Sequence, residues 1–443
     1  MNGKETGLPE KHHGHGSGTD YEDFWYRLDN VGKIFAPIAS RNLTTVFRLS
    51  VILRERVHVG ALQAAISNVS SRFPYFRVGL RKGFFWYFLE HTRTNPELMA
   101  ENSSPCEEMA IGRKDTGLIR LKAFKTRISA EFSHTLTDGA GGLEYIRSLA
   151  AEYLRLIHGP FEDWDGLMRP GQIPDPEESE DAFLRHYNPH APMPHDPERA
   201  FHLPYRNRDH RFYGIITGKI PLAPLSALAK EKKVSVNDYL VALVLEAFQE
   251  EYFRVYPKDP PHSAPPIRAV VPINLRRLFP SKTMRNFILF TSPEIDPRLG
   301  KYTFEEILST VHHHVRLYSN AKAVQPAMGR NVRGERNAFV RVVPRVIKDL
   351  YLNYKHYRAG DRLASFSVSN LGMVKMPESF SHFIEGFDFV PPPDPATKCN
   401  CGIIGFGNTV VITFGRTIAE TSVERFFFRR LVKLGIPVKI ESN

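Results

Sequence analysis

The chain has 443 residues, 42% of them hydrophobic and 24% charged, with a formal net charge of +11. This is the composition of a soluble globular protein with room for two or three domains. Its longest apolar runs, such as Tyr239 to Leu245, fall well short of the roughly 20 residues that cross a bilayer, so no transmembrane segment is expected. Three cysteines cannot build a disulfide framework, and Cys399 and Cys401 have no second pair to complete a zinc site, so reduced thiols in the cytoplasm are expected. The positive balance suits an anionic ligand or an acidic partner. Nucleic acid is the rival partner, but no recognised nucleic-acid motif accompanies the charge, and none is expected.

Residues 1–20 are polar, rich in Gly and His, and unlike a secretory signal; they read as a disordered cytoplasmic leader. Its His12, His13 and His15 make a poor metal site in a flexible tail, and no metal is expected. Thr44 to Arg54 and Tyr75 to Glu90 read as strands flanking a helix from Val59 to Ser71. Phe84 to Phe88 reads as a buried part of the second strand. Leu118 to Phe132 alternates over much of its length and reads as strand; Leu143, Ile146, Leu149, Ala150, Tyr153 and Leu154 then recur at helical spacing. Pro160 to Pro204 holds nine prolines and cannot sustain long regular elements.

Beyond it, Tyr213 to Ile220 reads as strand and Val236 to Phe253 as a long helix entered at Asn237-Asp238. Arg268 to Asn274 and Asn286 to Ile295 are strands. Thr303 to Ala321 and Arg336 to Tyr354 are helices, the latter kinked or broken at Pro344. Strands at Ser365 to Ser369, Thr397 to Phe406 and Thr409 to Gly415 follow, the last two joined by Gly407-Asn408, before a helix from Ser422 to Leu434. The division is therefore an N-terminal domain over 21–160, a Pro-rich crossover linker over 161–210 and a C-terminal domain over 211–443, both domains α/β. His312, His313 and His314 fan around a helix and cannot aim at one ion.

Between the strand ending near Phe132 and the helix beginning near Gly141 stands His134-Thr135-Leu136-Thr137-Asp138-Gly139. Histidine is the usual base for an alcohol or amine proton because its ordinary pKa lies near neutrality. An aspartate four residues on can fix the turn or the ring, and glycine permits a tight backbone approach. A simpler reading keeps His134 as a hydrogen-bonded turn residue and Asp138 as a helix cap. Gly139 to Gly142 resembles a phosphate cradle but lacks the required spacing and lysine, so the glycines serve backbone approach.

The motif and its surroundings resemble the CoA-dependent acyltransferase superfamily, which has the chloramphenicol acetyltransferase-like fold and the HxxxDG motif. The closest likeness is to its bacterial alcohol acetyltransferase-like group. Further likenesses lie in Phe24 to Asn30, Phe73 to Gly79, Val234 to Leu240, Val271 to Arg276 and Ser369 to Gly372, in that order along the chain. Condensation domains place a second histidine where Ser133 stands, and the D-F-G-W-G box of plant members is absent, with Gly386 to Phe389 in that region. The resemblance implies two α/β domains, each a mixed β-sheet flanked by helices, with an active-site tunnel between them. His134 is then the general base, with Asp138 and Gly139 completing the catalytic motif and Asp138 in a structural ion pair with Arg276.

Ser369 and Asn370, at the end of an alternating strand, are candidates to steady an oxyanion or substrate. The basic run from Arg330 to Lys348 is either a solvated helix face or, through Arg333, Arg336 and Arg341, a contact for CoA phosphates. The implied activity is transfer of an acyl group, acetyl first, from acyl-CoA as co-substrate to a small alcohol or amine, with no permanently bound cofactor. An acyl carrier protein as thioester donor is the alternative, and a non-catalytic binding protein a further one.

Overall fold

The computed structural model describes residues 25–40, 43–102, 104–109, 112, 116–194, 198–209, 212–355 and 362–443; the expected leader, with His12, His13 and His15, lies outside them. The first half runs β1 (Trp25–Arg27), α1 (Gly32–Ile38), β2 (Val46–Leu53), α2 (Val59–Arg72), β3 (Val78–Lys82), β4 (Tyr87–His91), β5 (Glu97–Ala100), β6 (Ile119–Phe124), β7 (Arg127–Ser133) and α3 (Gly139–His158). After the proline-rich stretch, which carries α4 (Ala182–His186), come β8 (Gly214–Pro221), α5 (Leu222–Glu231), α6 (Val236–Val255), β9 (Ile267–Asn274), β10 (Ile288–Thr291), β11 (Glu294–Ile295), α7 (Phe304–Tyr318), α8 (Gln325–Arg336), α9 (Ala338–Val342) and α10 (Arg345–Lys355). The chain ends with β12 (Phe366–Val374), α11 (Glu378–Ser381), β13 (Ile384–Val390), β14 (Cys399–Phe406), β15 (Thr409–Arg416), α12 (Ser422–Lys433) and β16 (Lys439–Ser442).

Two mixed sheets organise these elements. The first has the order β13-β2-β7-β6-β5, with β5 parallel to β6 and the other pairs antiparallel. The second has the order β10-β9-β12-β14-β15-β8-β16, with β12 parallel to both neighbours and β11 paired to β9. A hairpin of β3 and β4 carries β1 as a small separate sheet. β2 is buried at every position, as a strand covered on both faces must be, and its apolar side chains join those of α2 and α3 in one core. A second core gathers α6, α7 and α12 on the larger sheet.

β13 comes from the second half of the chain yet completes the first sheet, pairing Phe387 with Val51 and Phe389 with Leu49. It passes so close over β14 that a Cβ on Gly402 would lie 2.9 Å from the Phe389 carbonyl oxygen, which is why glycine stands there. The proline-rich stretch is pinned from both sides. Arg72 forms a two-bond pair with Glu178, each bond 2.7 Å, and the Tyr75 hydroxyl donates to the same carboxylate. From the second half, Met284 N–H donates to the Glu178 carbonyl and Thr283 Oγ1 to that of Glu180.

Several local expectations are corrected. Tyr75 to Glu90 is not one strand but a 3-10 turn followed by the β3–β4 hairpin, and Phe84 and Phe85 lie exposed at its tip. Asn286 to Ile295 breaks into β10 and β11, which pair with different stretches of β9. The cap of α6 is Ser235, with Asp238 at the third position closing a capping box; Asn237 is not the cap.

The strand leading to His134 is locked by charge. Glu131 on β7 is fully buried and faces Arg48 on β2 and Arg120 on β6 across the ladder. It accepts from Arg48 Nε at 3.0 Å, Arg120 Nε at 2.7 Å and the Cys106 N–H at 2.9 Å, with Lys122 Nζ 3.5 Å away. Burial alone would raise its carboxyl, but Arg48, Arg120 and Lys122 outweigh it and hold the pKa at about 2. The folded pKa lies below the ordinary 4.5, so the ionised network stabilises the protein above that value and is lost as pH falls toward 2. Acid unfolding of the wild type should therefore steepen over that window. Glu131→Gln, which removes the carboxylate that Arg48, Arg120 and Lys122 share and leaves Arg48 only Glu101, should unfold on the order of 3 kcal/mol more easily at neutral pH and show a flatter acid limb. Denaturant midpoints measured across that pH range check both.

Candidate active site

β7 ends at Ser133, and the next five residues turn the chain into α3. Ser133 accepts from the Thr135 N–H through Oγ and from the Leu136 N–H through its carbonyl, so it shapes the turn. The backbone of His134 is held on both sides: its N–H donates to the Thr45 carbonyl at 2.8 Å, and its carbonyl accepts from Asn286 Nδ2 at 2.9 Å. The imidazole lies against two rings, stacked on Phe35 with centroids 5.0 Å apart and tilted on Phe47 at 4.6 Å. Nδ1 is buried without a hydrogen-bond partner among the described residues while the residue as a whole stays part-exposed, which leaves Nε2 as the nitrogen that can meet a substrate. Burial among these rings holds the imidazole below its ordinary value, with the Asp138 charge opposing; the ring is neutral near pH 7 and able to take a proton.

Asp138 is the fully buried N-cap of α3, and its carboxylate accepts four bonds. Oδ1 takes the N–H groups of Ala140 at 3.1 Å and Gly141 at 3.0 Å; Oδ2 takes Arg276 Nη1 at 2.9 Å and the Phe287 N–H at 2.8 Å. It is thus both a helix cap and one half of a bridge between the two halves of the chain. The amides that would cradle a phosphate are already satisfied by this carboxylate. Arg276 also donates from Nε to the Thr283 carbonyl at 2.8 Å and from Nη2 to that of Arg285 at 2.5 Å, so one guanidinium folds the 283–287 segment onto the turn. Thr137 Oγ1 donates to the Met284 carbonyl at 2.6 Å, and a Cβ on Gly141 would stand 2.4 Å from that same oxygen. Gly141 is glycine because the segment passes there. Gly139 meets the side chain of Leu371 from β12.

The other sequence candidates are placed as follows. Ser369 and Asn370 lie on β12, half-buried, just before the Leu371 that touches Gly139. Asn370 is used at both ends of its amide: Nδ2 donates to Asn237 Oδ1 at 3.1 Å, and Oδ1 accepts from the Gly372 N–H at 2.8 Å. It therefore shapes a bulge, with Gly372 at φ 78°, and one of its two amide N–H groups is engaged by Asn237. Arg333 and Arg336 have partners in the linker. Arg333 donates to the carbonyls of Pro189 and Ala191, and Arg336 to the Tyr187 hydroxyl, so both fasten the linker. Arg341 is exposed on α9. His312 pairs with Asp238 at 3.0 Å and His314 accepts from the Ser292 N–H at 3.3 Å, two separate structural uses.

Residues beyond the sequence candidates complete the site. Phe35 and Phe47 form its walls. Asn286 joins the His134 carbonyl to the buried Asp29 carboxylate, which also accepts from the Gly32 N–H at 2.6 Å. Arg285 lies fully buried with its guanidinium over the Tyr26 ring. None carries a local signal, because each works through contacts with residues distant in the chain, 87 residues for Phe47 and His134 and 257 for Asp29 and Asn286. The exception is Asp29, which lies within the Phe24 to Asn30 likeness.

The sequence matches no protein-family model and no curated protein. The fold does find matches among solved structures. The chain is similar to polyketide synthase associated protein 5 of Mycobacterium tuberculosis, with a TM-score of 0.57, 14% identity, and 92% of this chain and 97% of that one covered. It is similar to TRI101 of F. sporotrichioides, solved with coenzyme A and T-2, at TM-score 0.60 and 12% identity over 94% of this chain and 99% of that one. It is also similar to the TRI3 trichothecene 15-O-acetyltransferase of Fusarium sporotrichioides, at TM-score 0.60 and 10% identity, covering 94% and 96%. The two mixed sheets and the helices on them thus give this chain the two-domain, chloramphenicol acetyltransferase-like fold that these solved structures share.

Proposed function

We propose that the protein is an acyl-CoA-dependent acyltransferase that moves an acyl group, acetyl first, onto a small alcohol or amine. The observation that carries this reading is His134: a neutral imidazole between two aromatic rings, its backbone fixed on both sides, with Nε2 left for a substrate. Nε2 takes the proton of the acceptor hydroxyl or amine as that atom attacks the thioester carbonyl. The carbonyl π-electrons move onto oxygen; when they return, the carbon–sulfur bond breaks and the CoA thiolate leaves, taking the proton back from the imidazolium. The half-buried Ser369 hydroxyl remains a candidate donor to the oxyanion. A thioester is already activated, so transfer runs directly within a ternary complex. The net charge of +11 supports a phosphate-bearing donor, and TRI101, of the same fold, was solved with coenzyme A.

His134→Ala should lower kcat by at least about 10²-fold while leaving the melting transition in place, since the ring sits at a turn. Wild-type-like turnover would remove His134 from the mechanism. Because the imidazole is held below 6.5, the acid limb of kcat/KM should lie below that pH and vanish in the variant.

Asp138 and Arg276 should behave as one unit. Asp138→Asn and Arg276→Met should each destabilise by about 3–5 kcal/mol and reduce activity, and the double variant should be far from additive. Additive losses in denaturation and kinetics would mean that the two side chains act independently.

The donor is tested with a truncated acyl thioester lacking the nucleotide half. It should react with a lower kcat/KM than the full acyl-CoA, and the difference should shrink as salt rises. Equal efficiency would favour a carrier-protein thioester as donor.

A further inference from the structure

α10 is built the wrong way round for a helix at the surface of a water-soluble protein. Three of its charged residues, Arg345, Lys348 and Asp349, face the protein. Arg345 donates to the Gly83 carbonyl and pairs with Asp349, Lys348 is buried over the Trp86 ring and donates to the Phe85 carbonyl, and Asp349 accepts from the Tyr87 hydroxyl. Its apolar residues face out. At about 100° per residue, Val346, Ile347, Leu350 and Tyr351 fall within one arc of roughly 140°. All four are exposed, Leu350 at 69%. Further exposed apolar residues lie on its neighbours: Phe339 at 84% and Val342 on α9, which is tied to α10 by Lys348 Nζ donating to the Arg341 carbonyl, and Phe84 at 73% and Phe85 on the hairpin tip that α10 clasps. Exposed apolar side chains gathered on adjoining elements mark an interaction face.

Charge says what it meets. Exposed cations stand on these same elements, Lys82 at the end of β3 and Arg341 on α9, with Arg336 at the end of α8. The neighbouring acids are already neutralised, Asp349 by Arg345 and Glu335 by Lys33. An apolar face containing aromatic side chains, with cations on the same elements and no unpaired acid among these neighbours, matches the boundary between acyl chains and anionic headgroups.

We propose that the outward face of α9, α10 and the β3–β4 tip docks on an anionic lipid surface. The proposal stands apart from the acyl-transfer reading, although the geometry connects the two places. α1 packs against α10, with Asn353 Nδ2 donating to the Pro37 carbonyl, and Phe35 on the same α1 stacks on His134. A docked protein holds its candidate catalytic histidine one helix, α1, away from the docked α10.

Flotation of the purified full chain with lipid vesicles tests this. The protein should float with phosphatidylcholine–phosphatidylglycerol vesicles, less with phosphatidylcholine alone, and less as salt rises. Ile347→Glu/Leu350→Glu/Tyr351→Glu should lower the partition coefficient at least about tenfold with unchanged circular dichroism, since these side chains contact little else. Phe339→Ser on α9 gives an independent second variant with a smaller loss. Arg341→Glu with Lys82→Glu should weaken only the phosphatidylglycerol-dependent part. Wild type that stays unbound to either vesicle, or a triple-Glu variant that floats as well as wild type, would overturn the proposal. So would a wild-type dimer that the triple-Glu variant dissolves without any vesicle binding, which would assign the face to a second copy of the chain.

Discussion

The carboxylate of Asp138 is the constraint on which the rest of the candidate site depends. Four donors converge on it, two from the first turn of α3, one from the Arg276 guanidinium and one from the Phe287 backbone. The helix-terminal amides need a cap, the guanidinium needs a counter-charge and the 283–287 segment needs an anchor. A single buried oxygen pair meets all three needs. The His134 turn is therefore defined only when both halves of the chain are docked. Precise placement of a base is worth several kcal/mol to catalysis, and here it is tied to the docking itself.

The same saturation decides what Asp138 does not do. With four bonds already accepted, it has no geometry left to orient the imidazole as the acid of a Ser-His-Asp triad does. The ring is placed by other means: Thr45 and Asn286 hold its backbone, Phe35 and Phe47 hold its plane, and desolvation keeps it neutral. Glu131, three residues upstream, anchors β7 from the opposite direction by its bonds to Arg48 and Arg120. His134 thus sits between two charge networks but belongs to neither.

What was legible in the sequence was local. The strand–motif–helix order around His134, the long α6 helix, the β14–β15 hairpin and the break at Pro344 each follow from a short window of pattern and turn chemistry. The run at Phe84 to Phe88 misled because β-propensity cannot tell a strand centre from a hairpin tip. β13 could not be assigned to the first sheet, since no pattern in Ile384 to Val390 records that its partner is β2, more than three hundred residues earlier. The linker contacts of Arg333 and Arg336 were hidden for the same reason: the carbonyls and the hydroxyl that bind them are invisible in a count of charges. Arg276 was accessible only through resemblance to a known family, because its partner lies 138 residues away.

The central claim is direct transfer at His134 without a covalent enzyme intermediate, and single-turnover kinetics test it most directly. Excess enzyme mixed with radiolabelled acetyl-CoA should release no thiol until an alcohol or amine acceptor is added. Thiol and acylated acceptor should then form together, in equal amounts and at one rate. A burst of thiol before acceptor is added, with label retained on the protein, would contradict the account.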